Sequence, residues 1–114
     1  MSKPYRRGLV VGKFCPLHLG HEFLIRQAMQ ACDALLVLGY TSQRFPGCEP
    51  ERRAEWLRLR CPDVESHVLG DVVAGRALPD DADDGDVHRR FVAWWLMEVR
   101  RTTVDAVFTS EAYG

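Results

Sequence analysis

The stretch GKFCPLHLGHEFLIRQA, residues 12–28, decides the fold because it joins the end of an apolar run to the start of a helical pattern. The preceding run, GLVVGK at residues 8–13, is nearly continuously apolar, which is typical of a strand covered on both faces in a parallel sheet. Apolar side chains then recur at helical spacing. His18 and His21 therefore stand between a strand and a helix, where open α/β sheets bind their ligands.

The same alternation of apolar runs and helical patterns continues along the chain. Strands are predicted at residues 8–13, 34–41, 64–69 and 104–109. Helices are predicted at residues 20–32, from residue 50 to just before Pro62, and at residues 87–101. This order predicts an α/β fold with a doubly wound parallel sheet of about four strands and right-handed crossovers. No repeat or linker interrupts it, so residues 1–114 are expected to form one domain.

Composition limits the classes of partner. Fifteen basic and sixteen acidic residues leave a formal net charge of -1, so no overall field attracts nucleic acid or an anionic membrane. The apolar stretch near the amino terminus is too short for a signal peptide or a membrane span, and a cytoplasmic protein is expected. The four cysteines are irregularly spaced, which favours free thiols over disulfides or a structural zinc site.

The first strand-to-helix turn has the chemistry of a phosphate site. A helix amino terminus offers unpaired N–H groups and a partial positive charge. Gly20 has no Cβ, so a ligand can approach the backbone closely. Imidazoles three positions apart, His18 and His21, can point into one pocket and donate hydrogen bonds to phosphate oxygens, and Lys13 adds a fixed positive charge.

Other interpretations of this turn are weaker. The Rossmann glycine fingerprint and the P-loop are both missing from the sequence. A zinc ion held by His18, His21 and Cys15 is disfavoured because Cys15 precedes Pro16 at an unsuitable spacing. A structural interpretation, in which the two histidines only cap and pack the helix, stays open.

The segment LPDDADDGD, residues 78–86, departs from the alternating pattern. It holds five aspartates and has no periodicity, which favours a solvated loop. Carboxylates also suit hard cations such as Mg²⁺, but no convergent ligands are evident from the sequence. The segment is therefore predicted to be a loop.

The first turn also resembles a known signature, G-[KR]-F-x-P-x-H-x-G-H-x-x-L-I, of the nucleotidyltransferase superfamily. The matching residues are Gly12, Lys13, Phe14, Pro16, His18, Gly20, His21, Leu24 and Ile25. A basic residue after the first glycine is more like the nicotinamide mononucleotide (NMN) adenylyltransferases than the cytidylyltransferases. VFTSEAYG, residues 107–114, is similar to the segment after the fourth strand in bacterial proteins that join NMN adenylyltransferase to ribosylnicotinamide kinase.

This resemblance implies a Rossmann-like nucleotidyltransferase fold and adenylyl transfer, in which NMN attacks the α-phosphorus of ATP and yields NAD and pyrophosphate, with Mg²⁺ entering with ATP. The implied catalytic residues are His18, His21 and Lys13. The implied ATP-binding residues are Gly12, Lys13, Phe14, His18, Gly20, His21, Thr109 and Ser110. Because the family's first and fourth strands are neighbours, Thr109, Ser110 and Glu111 are expected across the crevice from His18.

Two neighbouring tryptophans in the third predicted helix have different expected roles. Trp95 shares an apolar stripe with Val92 and Val99, which predicts a core position. Trp94 lies beside that stripe, and a flat aromatic ring stacks well on a cation such as the nicotinamide ring of NMN. Trp94 and Glu111 are therefore candidates for binding the acceptor.

The resemblance covers only the first to the fourth strand. The family has a further motif beyond it, Ser or Thr with an arginine three residues later, whereas this chain ends at Gly114. We therefore expect a carboxyl-terminally incomplete domain that is a poor catalyst alone and self-associates through an exposed fourth strand. Two alternatives stay open: a non-catalytic nucleotide-binding module or fragment, and an adenylyltransferase for another phosphorylated acceptor such as phosphopantetheine.

Overall fold

The computed structural model describes residues 3–15, 17–41, 46–70 and 72–109. The strands are β1 (Tyr5–Gly12), β2 (Cys32–Gly39), β3 (Glu65–Val68), β4 (Val72–Val73), β5 (Arg76–Ala77) and β6 (Ala106–Thr109). The helices are α1 (Leu19–Ala31), α2 (Pro50–Arg60) and α3 (Gly85–Trp94), and α3 continues as a π-helical segment over Trp95–Arg100. Each predicted strand and helix is present, with ends shifted by a few residues.

The main sheet has the strand order β3-β2-β1-β6, and every pair in it is parallel. The predicted α/β class is thereby confirmed, as is the expected neighbouring of the first strand and the last. Within the described residues β6 pairs only with β1, and Val107 on this edge strand is 51% exposed. The expected association through this edge stays a prediction.

Helices cover both faces of the sheet because successive side chains of a strand point to opposite faces. On one face the core formed with α3 contains Leu9, Val11, Leu36, Leu38, Phe91 and Trp95. On the other face the core formed with α1 and α2 contains Val10, Phe14, Ile25, Ala28, Val37 and Leu57. Alternate residues of β1 thus belong to two separate cores, which explains why its sequence is apolar at consecutive positions.

The hairpin β4–β5 is a feature that the sequence did not predict. Its strands have two residues each and pair antiparallel across Ala74 and Gly75, both of which have positive φ. Two positive φ values are typical of a type I′ hairpin turn, although the usual Asn-Gly or Asp-Gly pair is missing here. Strands this short carry too few residues for a period to be recognised.

The acidic segment is a loop, as predicted, but one of its carboxylates is not solvated. The Asp80 and Asp83 side chains accept hydrogen bonds from backbone N–H groups inside the loop. The Asp81 side chain instead turns inward and is only 7% exposed. The expectation of a solvated loop is therefore wrong for Asp81, whose burial depends on partners elsewhere in the fold.

None of the helices within the described ranges has the length and apolar character needed to cross a membrane.

Candidate functional site

The two histidines build the start of α1. His18 is the N-cap residue, and its Nδ1 accepts a hydrogen bond from the N–H of Gly20 at 3.1 Å. Nδ1 of His21 accepts from the N–H of His18 at 3.3 Å. The pair forms a capping box in which imidazoles replace the usual Ser or Thr and Glu or Gln. The two rings stack with centroids 3.7 Å apart and planes inclined by 21°.

These capping bonds determine what the imidazoles can offer to a ligand. A neutral imidazole whose Nδ1 accepts a hydrogen bond carries its proton on Nε2. Among the described residues, neither Nε2 atom of His18 or His21 has a hydrogen-bond partner. The helix start therefore presents two N–H donors side by side that no part of the described chain uses.

The environment of His21 favours its neutral form. Burial, followed by the positive charge of His18, lowers the pKa of His21 below its usual value. His21 also lies edge-on to the ring of Phe14, with centroids 5.0 Å apart. At neutral pH His21 thus acts as an uncharged hydrogen-bond donor.

Phe14 supports the site from the core side. Its ring is buried, and its backbone has a φ of 54°, in the left-handed region that bulky residues rarely adopt. A Cβ on Gly39 would lie 2.9 Å from Cδ2 of this ring, and a Cβ on Gly12 would lie 3.1 Å from it. The two glycines at the ends of β1 and β2 therefore leave the space that the Phe14 ring occupies beneath His21.

The missing Cβ of Gly20 accommodates a neighbouring side chain. A Cβ at this position would lie 2.9 Å from Cε1 of His18. The missing Cβ thus makes room for the His18 ring to fold over the helix start and accept the Gly20 N–H. The imidazole thus occupies the side of the glycine where a Cβ would stand, and the expected approach of a ligand to Gly20 stays a prediction.

Lys13 forms an ion pair that the sequence did not predict. Its Nζ lies 3.4 Å from Oδ2 of Asp81, and the lysine side chain is 42% exposed. The same carboxylate oxygen accepts a hydrogen bond from Oγ1 of Thr41 at 2.5 Å. The acidic loop thus supplies a counter-ion to the cation expected to bind phosphate.

A buried pair of side chains fixes the loop that carries Asp81. The hydroxyl of Tyr40 lies 2.8 Å from Nδ1 of His88, and Nε2 of His88 lies 3.1 Å from the carbonyl oxygen of Asp80. A carbonyl oxygen can only accept, so Nε2 of His88 carries a proton and donates to Asp80, while the Tyr40 hydroxyl can donate to or accept from Nδ1. Because Tyr40 follows β2 and His88 lies in α3, the core itself positions the acidic loop.

The strand β6 brings Thr109 to the same edge of the sheet. Thr109 is in register with Val11, one residue before the end of β1. This position agrees with the expected place of Thr109 beside the crevice. Ser110 and Glu111, the other residues assigned to this side, lie outside the described residues.

The two tryptophans differ as expected in burial. Trp95 is buried in the core on the α3 face, which confirms its predicted position. Trp94 is half-buried, packs on Phe91 and has the guanidinium carbon of Arg76 4.8 Å from its ring centroid. No contact joins Trp94 to His18 or His21 within the described residues, and a cation already covers one face of its ring.

Metal-binding side chains do not assemble in the part of the chain that the structure describes. It contains no group of three or more His, Cys, Asp or Glu side chains arranged to hold a metal ion. All four cysteines are free thiols. The zinc interpretation of His18, His21 and Cys15 and the magnesium interpretation of the acidic loop therefore both lack a ligand set there.

No family model matches the chain, and no curated protein matches it either. Any role proposed for His18, His21 and Lys13 therefore depends on the geometry of the β1–α1 turn and on the resemblance of its motif.

Proposed function

We propose that this chain is a nucleotidyltransferase that transfers the adenylyl group of ATP to NMN. One observation carries the proposal: at the start of α1, His18 and His21 are stacked and capped so that each keeps an unused Nε2–H donor. A capping box needs only two side-chain acceptors, whereas the imidazoles also bring two N–H donors suited to phosphate oxygens. The match of these residues to the nucleotidyltransferase signature gives the reaction.

The triphosphate of ATP would bind across the turn between β1 and α1. His18 and His21 would donate to its oxygens, the helix amino terminus would add its partial positive charge, and Lys13 would add a full one. Asp81 lies 3.4 Å from the Lys13 ammonium, so the incoming phosphate would compete with this carboxylate. Binding would therefore move the Lys13 ammonium from the Asp81 carboxylate to a phosphate group of ATP.

The reaction requires positioning and charge stabilisation more than acid–base chemistry. A phosphate oxygen of NMN forms a bond to the α-phosphorus of ATP, the bond from that phosphorus to the bridging oxygen breaks, and pyrophosphate leaves with the electron pair. The attacking phosphate is already an anion near neutral pH, so no general base is needed. Fixed N–H donors that face the developing charge stabilise the transition state without reorganising.

Mg²⁺ has no protein ligand set among the described residues. Magnesium commonly binds through substrate phosphates and retained waters with only one or two carboxylates, so it would arrive on the triphosphate. When bound it supplies charge neutralisation on the phosphates. Trp94 and Glu111 stay candidates for binding the acceptor, and Arg76 covers one face of the Trp94 ring.

The test is pyrophosphate release from ATP and Mg²⁺ with a panel of phosphorylated acceptors, accompanied by detection of NAD. NMN is expected to give the largest release. A preference for phosphopantetheine would replace the acceptor but keep the reaction class. ATP binding without pyrophosphate release from any acceptor would instead indicate a nucleotide-binding module, and failure to bind ATP would contradict both.

A further inference from the structure

Arg53 is a buried arginine directly behind the β1–α1 turn. It projects from α2 and is only 3% exposed. Its Nε donates to the carbonyl oxygen of Cys48 at 2.9 Å, and its Nη1 donates to the carbonyl oxygen of Lys13 at 3.1 Å. One guanidinium thus joins the loop that carries the candidate phosphate-binding lysine to the segment that leads into α2.

The charge of Arg53 is not balanced inside the described part of the chain. There its recorded partners are the two carbonyl oxygens, and no carboxylate lies within ion-pair distance. Buried charges in proteins are ordinarily paired with an opposite charge, because the loss of hydration is costly. A buried guanidinium that holds only carbonyls therefore leaves positive charge available for an external anion.

The field of this charge reaches the β1–α1 turn itself. Burial, followed by a hydrogen bond to Cys48, raises the pKa of the Cys15 thiol to about 11, while the positive charges of Arg53 and Lys13 act in the opposite direction. Both cations thus act on one thiol of this turn. Arg53 differs from Lys13 in being fixed from two sides and shielded from solvent.

We infer that Arg53 is a positioning residue for a phosphate-bearing ligand: it holds the backbone at Lys13 and adds a fixed buried positive charge behind the His18–His21 donors. The ligand chemistry is that of a pyrophosphate group, as in a nucleoside triphosphate. This inference rests on the proposed function for the location of the phosphates but not for the transfer step.

The experiment measures binding of inorganic pyrophosphate by calorimetry to the parent chain and to Arg53→Met and Arg53→Lys. We expect Arg53→Met to weaken binding about 10-fold to 100-fold, since a charge shielded from water acts through a lower effective dielectric. Arg53→Lys keeps the charge and is expected to bind within about threefold of the parent.

The matched control is Arg52→Met, which removes the same charge from the adjacent position of the same helix. Arg52 is 59% exposed and its Nε lies 3.9 Å from Glu49. Because water and salt screen an exposed charge, this variant is expected to bind pyrophosphate within about twofold of the parent.

Thermal unfolding of every variant separates this role from a purely structural one. Arg53→Met removes both carbonyl contacts, whereas the ammonium of Arg53→Lys can still donate to a carbonyl; both variants should lower the melting temperature, yet only Arg53→Met should lose affinity. If Arg53→Met does not fold, Arg53→Gln, which keeps a donor for a carbonyl but no charge, takes its place with the same expected loss. If Arg53→Lys loses pyrophosphate affinity along with melting temperature, as Arg53→Met does, the inference is overturned.

The outcomes also separate this inference from the proposed function. Pyrophosphate binding that depends on Arg53, with no NAD formed from ATP and NMN, would support the inference while the transferase proposal fails. NAD formation by the parent, together with unchanged pyrophosphate affinity in Arg53→Met or Arg53→Gln, would overturn the inference alone. A parent chain that does not bind pyrophosphate would also overturn it.

Discussion

The helices α1 and α3 both begin with a side-chain cap, but the two caps differ in charge. At α3 the carboxylate of Asp84 accepts from the N–H of Val87 at 3.1 Å, and Asp86 adds a second acidic group in the first turn. At α1 the caps are the imidazoles of His18 and His21. Glu22, the acidic residue in the first turn of α1, is buried and pairs with Arg60 of α2 at 3.0 Å.

This difference separates a structural helix start from one that can accept an anion. A carboxylate cap satisfies the backbone N–H groups and also balances the positive end of the helix dipole. A neutral imidazole cap satisfies the N–H groups but leaves the dipole uncompensated. The start of α1 therefore keeps a positive potential next to two N–H donors, while the start of α3 does not.

The largest expected effect comes from removing one imidazole from α1. His21→Ala is expected to lower turnover of ATP and NMN about 100-fold to 1000-fold, because a preorganised donor to developing negative charge is lost. The measurement is pyrophosphate release at saturating substrates, with the free energy of unfolding determined on the same sample. Activity equal to that of the parent would remove the histidine pair from the proposed mechanism.

The corresponding change at α3 should affect stability without affecting turnover. Asp84→Ala removes the N-cap acceptor and is expected to lower the free energy of unfolding by about 1 kcal/mol. Pyrophosphate release per folded molecule should stay at the parent level. A loss of turnover as large as that of His21→Ala would show that the two helix starts are not functionally different.

Much of this comparison can be predicted from local sequence, because strands, helices and caps are local features. The continuous apolar runs predict the strands, and a His-x-Gly-His string between a strand and a helix predicts the turn. The role of the Gly20 position is harder to predict, since the free space beside a glycine does not reveal which group will fill it. Here a neighbouring imidazole fills it.

Contacts between distant segments could not be predicted in the same way. Asp81 and Arg53 lie 68 and 40 positions from Lys13 and look like ordinary charged residues of a loop and a helix. Asp81 contacts the Lys13 ammonium, and Arg53 contacts the Lys13 carbonyl, only because the sheet brings the ends of β1 and β2 together. No single-sequence period or motif marks such residues; their burial in the fold does.

The Asp81 contact gives a prediction of intermediate size. Asp81→Asn removes the counter-ion of Lys13 while keeping an acceptor for the Thr41 hydroxyl, so pyrophosphate binding is expected to tighten about 2-fold to 5-fold, the range of a partly exposed ion pair. Asp83→Asn is the control, since it makes the same charge change in the same loop and its carboxylate bonds the Asp80 N–H. Weaker binding in Asp81→Asn would mean that the carboxylate orients Lys13 rather than competing with the ligand.

The smallest expected effect is a difference in how the two helix starts respond to acid. An unfolded histidine titrates near pH 6.5, and burial, followed by the charge of His18, lowers the pKa of folded His21. Between these two pKa values the unfolded chain binds more protons than the folded one, so the free energy of unfolding falls as the pH drops below about 6.5. At α3 the hydrogen bond from Arg89 lowers the pKa of Asp86, so the stabilising contribution of Asp86 is lost only in more acidic solution, below the usual range of an aspartate.

Urea unfolding from about pH 7.5 to pH 5 should therefore show a steeper loss of unfolding free energy for the parent than for His21→Gln, in which glutamine can still complete the capping box but cannot titrate. Parallel curves for the two proteins would show that His21 is not the group responsible for the loss of stability over this range.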